Sequence, residues 1–253
     1  MTKKKIAPTL LLIVQSLLTA AYVGMLIHVS IVLFSKEGIA AFSDLTFYFP
    51  IFVILVSSLS PQIVLRIRRK LHSEDGEVFP ILFTILSLQA SLIIPIFTEL
   101  SGYFYIPSEI LLVVERFSIL ATAMIFLLSS LEYYGFQNAK LGLYTFYILL
   151  ASLIVCMLAP SSTNRGFIEI YTAYSDAFII YSTILIYIAA SLTFVAYAIN
   201  EKTASNIRKC VSFLLMILGI ILSLFDNFIP AIISSVSYLI GIIILDFNTK
   251  DSF

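Results

Sequence analysis

The chain has 253 residues, of which 60% are hydrophobic and only 12% charged, with a mean hydropathy of +1.04. A water-soluble domain needs roughly 25% charged residues to cover its surface, so composition excludes a soluble globular fold and leaves lipid as what the apolar side chains face. Lys and Arg balance Asp and Glu at 15 each; without a basic patch to displace counterions from a phosphate backbone, nucleic acid is not an expected partner.

The amino terminus, Met1-Thr2-Lys3-Lys4-Lys5, leads into an apolar run that continues through Tyr22 to Phe34. Thr19-Ala20-Ala21 imitates a cleavage site, but the run is about twice the length of a signal-peptide h-region. An uncleaved first helix is therefore expected. A helix crosses the hydrocarbon with about 20 residues. Segments of that kind are Ile6–Phe34, Leu45–Leu65, Val78–Phe97, Ile110–Tyr134, Leu141–Ala159, Ala177–Ala198, Val211–Phe225 and Ile229–Leu245. They predict an all-α, polytopic integral membrane protein of about eight transmembrane helices, forming a single transmembrane domain over residues 1–253 with no soluble domain. The last two segments are short and share the turn Asp226-Asn227-Phe228-Ile229-Pro230, so seven spans with a re-entrant pair is the alternative. Pro230 suits the first turn of the last helix, where its missing N–H has no partner to lose. No internal repeat stands out.

The loops give the orientation. With the amino terminus inside and eight alternating spans, Lys3, Lys4, Lys5, Arg66, Arg68, Arg69, Lys70, Lys140, Lys202, Arg208, Lys209 and Lys250 fall on the cytoplasmic side. Only Lys36 and Arg165 fall outside, and Arg116 lies within a span. Lys and Arg concentrate in cytoplasmic loops, so both termini are expected to be cytoplasmic. The chain has no Trp; Tyr103-Phe104-Tyr105, Tyr133-Tyr134 and Tyr171 serve as the interfacial aromatic belt. Short loops without glycosylation-rich segments point to a bacterial inner membrane. Cys156 and Cys210 fall toward opposite faces, which forbids a bridge within one chain and makes both small packing residues.

An ionisable side chain at mid-helix costs about 2.5–3.5 kcal/mol to insert and is a functional suspect for that reason. The fourth segment carries Glu115 and Arg116, about 8–9 Å below the outer boundary at 1.5 Å per residue. Ser118, Thr122 and Ser129 continue the Glu115 face. His28 lies at similar depth in the first segment, Gln89 is near the middle of the third, and Gln15 is nearer the inner side of the first. The expected ligand site is a polar cavity open to the outside and lined by His28, Glu115 and Arg116. A structural reading stands beside it. Neighbours on a helix diverge by about 100°, so Glu115 and Arg116 can each pair with a different helix, Arg116 can snorkel, and His28 can serve as an interhelical hydrogen-bonder. Ser234, Ser235 and Ser237 read as small-residue helix packing.

Ser60-Pro61-Gln62, followed by Arg66, Arg68, Arg69 and Lys70, resembles the motif of PQ-loop transporters. The resemblance spans about ten residues and implies that Pro61 and Gln62 form a hinge used in alternating access. That family carries a repeated three-helix unit, whereas this chain has one Pro-Gln. A plain kink followed by a basic topology signal that meets anionic headgroups accounts for the same residues.

Enzyme chemistry is not expected. There is no His-Glu-x-x-His, the two histidines His28 and His72 form no cluster, and no Gly-rich phosphate loop occurs. No aspartate falls within a predicted span, and no late lysine is placed to hold retinal. No metal and no cofactor are therefore expected.

The stretch from Glu115-Arg116-Phe117 to Leu131-Glu132-Tyr133-Tyr134-Gly135 resembles the seven-helix membrane halves of bacterial histidine kinases and other bacterial multi-pass proteins. The likeness covers the middle third of the chain and implies a sensor. No coiled coil, kinase or cyclase segment follows the last span, so a signal would pass through helix contacts to another membrane protein. The function expected first is a receptor-like or accessory membrane subunit that binds a small ligand or a protein partner. A small-solute transporter or channel is the alternative, placed second because polarity is traceable only partway from the outer side. A role in envelope assembly comes third.

Overall fold

A computed structural model of the protein describes residues 6–38, 41, 45–67, 75–102, 106–133, 141–158, 177–225 and 227–251. Lys3, Lys4, Lys5, Arg68, Arg69, Lys70, His72, Lys140 and Arg165 lie outside the described residues, as do Tyr103, Phe104, Tyr105, Tyr134 and Tyr171.

Among the described residues every regular element is helical. In chain order they are α1 (Ile6–Glu37), α2 (Tyr48–Ser57), α3 (Leu59–Ile67), α4 (Asp75–Ser87), a 3-10 segment (Leu88–Leu92), α5 (Ile93–Ser101), α6 (Ser108–Tyr133), α7 (Leu141–Leu158), α8 (Ala177–Glu201), α9 (Ala204–Leu222) and α10 (Phe228–Asp251). Six stretches are long and apolar enough to cross a membrane: Thr9–Glu37, Val78–Ser101, Ile110–Leu131, Phe178–Asn200, Ala204–Leu222 and Phe228–Asp246. Two shorter apolar stretches, Tyr48–Val64 and Gly142–Leu158, complete the set. Large apolar side chains stand exposed on the outside of the bundle, among them Leu17 and Ile31 on α1, Met157 and Leu158 on α7, Leu185 and Leu192 on α8, and Val236 and Ile243 on α10. Water penalises such a surface and lipid does not.

Neighbouring segments run in alternating directions. At the end where α1 begins, here called proximal, Gln15 meets Gln62 and Ser60 meets Asp246. At the distal end, His28 meets Phe97. The central pair is α4–α5 with its 3-10 segment and α6: 67% and 61% of their most apolar stretches are buried, against 17% for α1. Around α4 and α6 the aromatic side chains Phe79, Phe83, Phe126, Tyr187, Phe194, Phe213 and Tyr238 fill the core, with Phe194 and Phe213 stacked at 4.7 Å between centroids.

The helix expected to begin at Val211 begins at Ala204 instead. The polar turn before Val211 is helical because the Thr203 hydroxyl accepts from the Asn206 N–H at 3.2 Å, a side-chain N-cap. The preceding helix stops one residue earlier, with Lys202 in the left-handed region at φ 43° and its N–H donating to Ala198 O at 3.2 Å. Capping supplies the length that hydropathy alone had withheld from α9.

Helices α9 and α10 form a hairpin built from one pattern used twice. Ser212, Met216 and Gly219 on α9 have the same spacing as Ser234, Tyr238 and Gly241 on α10. The Ser212 hydroxyl donates to Gly241 O and the Ser234 hydroxyl to Gly219 O, each at 2.7 Å. A Cβ at Gly219 would lie 2.8 Å from Tyr238 Cβ, and one at Gly241 would lie 2.8 Å from Met216 Cγ and 2.9 Å from Ser212 O. Without a hydrophobic effect between helices in lipid, such close backbone approach and interhelical hydrogen bonding hold a pair together. Ser234 thus packs as a small residue, in line with the sequence reading.

A second repeat escapes inspection of the sequence. Phe49-Pro50-Ile51 and Phe79-Pro80-Ile81 are each followed, after the same interval, by a serine, Ser57 and Ser87, and on that serine α2 and α4 end. Both serine hydroxyls fold back onto their own helix, Ser57 to Val53 O and Ser87 to Thr84 O, each at 2.6 Å, a contact that bends helices. A proline beyond each serine completes the break. Pro61 has no N–H to give Ser57 O, and Pro95 none to give Ser91 O. The first helix restarts at once as α3, while the second passes through the 3-10 segment. Helices α2 and α4 run in opposite directions, so the same local device occurs in inverted orientation.

Candidate functional site

The polar hub of the bundle is the segment Ser58–Gln62, just beyond the first break. Ser58 Oγ donates to Ile54 O at 2.6 Å and shares a 2.7 Å hydrogen bond with the Tyr238 hydroxyl of α10. Ser60 Oγ donates to Asp246 Oδ2 at 2.5 Å, tying α3 to α10 a second time. Pro61 and Gln62 are both buried. The Gln62 amide nitrogen donates to Gln15 Oε1 on α1 and to Pro80 O on α4 at 3.1 Å, with Thr84 Oγ1 a further 3.4 Å neighbour. Pro80 O also accepts the Thr84 hydroxyl at 2.7 Å. The predicted hinge pair therefore lies at the centre of a network joining α1, α3, α4 and α10.

From this hub polar groups follow α4 and the 3-10 segment toward the distal end: Thr84, Ser87, Gln89 and Ser91. Across from them on α6, Ser118 donates to Ile85 O at 2.9 Å and Thr122 to Ser118 O at 2.6 Å. The α-to-3-10 transition leaves carbonyls short of their usual donor, and Ser118 supplies one. Three atoms of this line, Gln15 Nε2, Gln89 Nε2 and Ser91 Oγ, are buried and have no hydrogen-bond partner. A second group of buried, unpartnered hydroxyls lies on α6, α7 and α8, at Ser129, Thr145, Thr183 and Tyr187.

Glu115 and Arg116 are buried on α6, each 7% exposed. Glu115 lies one turn before Ser118, whose hydroxyl reaches α4. His28 is exposed on α1, its ring edge-on to Phe97 at 5.4 Å. Glu115 and Arg116 are thus buried on α6, and His28 is exposed on α1. Sequence reasoning placed Gln15 at a useful depth but did not join it to Gln62, because hydrogen bonds between segments 47 residues apart leave no mark in periodicity. Cys156 and Cys210 are free and buried, as packing residues are. No group of three or more His, Cys, Asp or Glu able to hold a metal occurs among the described residues.

No protein-family model, curated protein or solved structure matches this chain.

Proposed function

We propose that the chain is an eight-span protein of the cell (inner) membrane with both termini cytoplasmic, and that it passes a small solute along the line of polar groups between α1, α3, α4 and α6. The observation that carries this reading is the pair of neighbouring helices, of opposite direction, each interrupted along its length beside a buried amide, by a turn at Ser58 in one and a 3-10 step at Leu88–Leu92 in the other. Broken helices in inverted pairs mark the sites of membrane transporters, where irregular backbone is tolerated only because it lines something polar. The polar line also runs farther than sequence alone allowed, from Gln15 and Gln62 near the proximal end to Glu115 in the distal half. The likeness of Ser60-Pro61-Gln62 to the PQ-loop hinge fits the same reading.

A receptor-like or accessory subunit would use the same residues for binding without passage, and it would signal through another membrane protein docked on the apolar exterior. The buried Glu115 and Arg116 favour that second reading, since ionisable side chains inside a span are costly and mark functional positions. Flux separates the two. Reconstituted vesicles should pass at least one class of small solute faster than protein-free vesicles, and Gln62→Leu should slow that passage; binding by a thermal-shift assay with no flux of any solute class would select the receptor. For topology, a cysteine at Thr203 should react with impermeant reagent only from the cytoplasmic side and one at Ser35 only from outside. The reverse pattern would overturn the orientation.

A further inference from the structure

Three oxygens from two helices close on Gln62 Nε2: Gln15 Oε1 of α1, Pro80 O of α4 at 3.1 Å and Thr84 Oγ1 of α4 at 3.4 Å. These atoms fix one another's identity. A carbonyl such as Pro80 O can only accept, so the Gln62 atom facing it is the amide nitrogen. The Thr84 hydroxyl gives its proton to Pro80 O at 2.7 Å, which leaves a lone pair for Gln62. Gln15 accepts with its oxygen, so its Nε2 stands on the same carboxamide, beside the three oxygens, buried and without a hydrogen-bond partner. Gln15 is 0% exposed and Gln62 3%, in surroundings where an unpaired amide N–H is costly. The arrangement is thus a cradle for an NH2 group with a second N–H alongside it that calls for a carbonyl. Gln62 meets the first requirement, but its tethered amide does not bring an oxygen to Gln15 Nε2.

We propose that this cradle binds a small solute bearing a primary carboxamide, and that the Gln62 side chain occupies it until the solute arrives. The solute NH2 donates to Gln15 Oε1 and Pro80 O as Gln62 does, and its carbonyl accepts from Gln15 Nε2. The two carboxamides then pair reciprocally, through two hydrogen bonds where Gln62 makes one. Gln62 stands in the first turn of α3, just past the interruption at Ser58, so the short helix can carry its amide aside. Thr84 is only half-buried and marks the edge at which a solute meets the cradle. This assignment rests on the reading of the chain as a solute-handling membrane protein and names the solute class.

The test melts the full-length wild type, Gln62→Ala and Gln62→Leu in detergent with acetamide or ammonium chloride, and with sodium chloride as the control for ionic strength. Gln62→Ala opens the space of the carboxamide, whereas Gln62→Leu fills it without a donor. Gln62→Ala should melt below the wild type, and acetamide should restore several degrees to it, as a ligand of the folded state does. The wild type, whose cradle is occupied, should gain less, and Gln62→Leu should gain nothing. Ammonium, which donates but offers no carbonyl to Gln15 Nε2, should do less than acetamide at equal concentration. If Gln62→Ala does not fold, Gln62→Asn, which draws the amide back by one methylene, takes its place in the same comparison. Acetamide that shifts all the proteins alike overturns the cradle and leaves Gln62 a structural tie. Rescue by ammonium as strong as that by acetamide overturns the carboxamide assignment. Vesicle swelling keeps the cradle separate from transport. Rescue without entry of acetamide into wild-type vesicles keeps the cradle and selects the receptor, whereas entry of any solute without rescue overturns the cradle and leaves transport standing. Neither rescue nor entry overturns both.

Discussion

One amide nitrogen, that of Gln62, joins three helices, and its removal has a definite cost. Gln62→Leu would leave the buried Gln15 Oε1 without the donor it now has and would weaken the hold on Pro80 O. Leaving a buried acceptor unsatisfied costs about 1–3 kcal/mol, so the variant should melt several degrees lower in detergent, whereas the double variant Gln15→Leu/Gln62→Leu should recover part of the loss by removing both partners. A double variant no better than the single one would mean that the amides pair for some other reason than mutual satisfaction. His28 behaves differently. Its ring rests on Phe97 at the surface, and His28→Leu should be nearly neutral. In sequence Gln62 stood in a Pro-Gln pair and His28 as a lone polar residue in an apolar run; the neighbours supplied by other helices separate their structural weight.

Helix breaks and helix clasps were legible to different degrees. Pro61 and Gln62 drew attention through their resemblance to the PQ-loop motif, and the interruption falls four residues upstream, where the hydrogen bond that Pro61 cannot give belonged. The matching break in the next segment passed unnoticed, since a 3-10 turn preserves apolar character and costs no length. The clasp of α9 and α10 is written in two copies of one spacing, but a serine and a glycine seven residues apart are too common to be recognised before their helices are known to face each other. Two substitutions test these elements. Gly219→Ala forces a methyl group to within 2.8 Å of Tyr238 Cβ and should destabilise by about 1–3 kcal/mol, while Gly24→Ala on α1 meets open space and should cost nothing in a thermal melt. Pro61→Ala restores the missing N–H, so the helix should gain stability while solute flux falls by roughly tenfold, about 1.4 kcal/mol at the barrier. A loss of both together would show Pro61 to be a packing residue.

Over the bundle as a whole, composition and hydropathy were enough to name the class and to find the apolar segments, because lipid imposes one simple requirement on every span. They were not enough to say which helices touch, because in lipid the contacts depend on shape and on single hydrogen bonds. That is why the buried amide pair of Gln15 and Gln62 is legible only once α1, α3 and α4 are side by side.

The two ties to α10, from Ser58 to Tyr238 and from Ser60 to Asp246, join parts of the chain 180 and 186 residues apart. The second apolar segment leaves the ribosome early, yet its serines wait for partners that emerge last. Until α10 arrives, clasped to α9, the hub is an unfinished joint in the membrane and the early helices remain open to quality-control proteases. A chain truncated after Phe225 should accordingly insert but be cleared faster than the full chain in a pulse-chase experiment, and supplying α9–α10 as a separate polypeptide should restore its lifetime. Helix α10 thus acts as the keystone of assembly, and its arrival is what lets the bundle close.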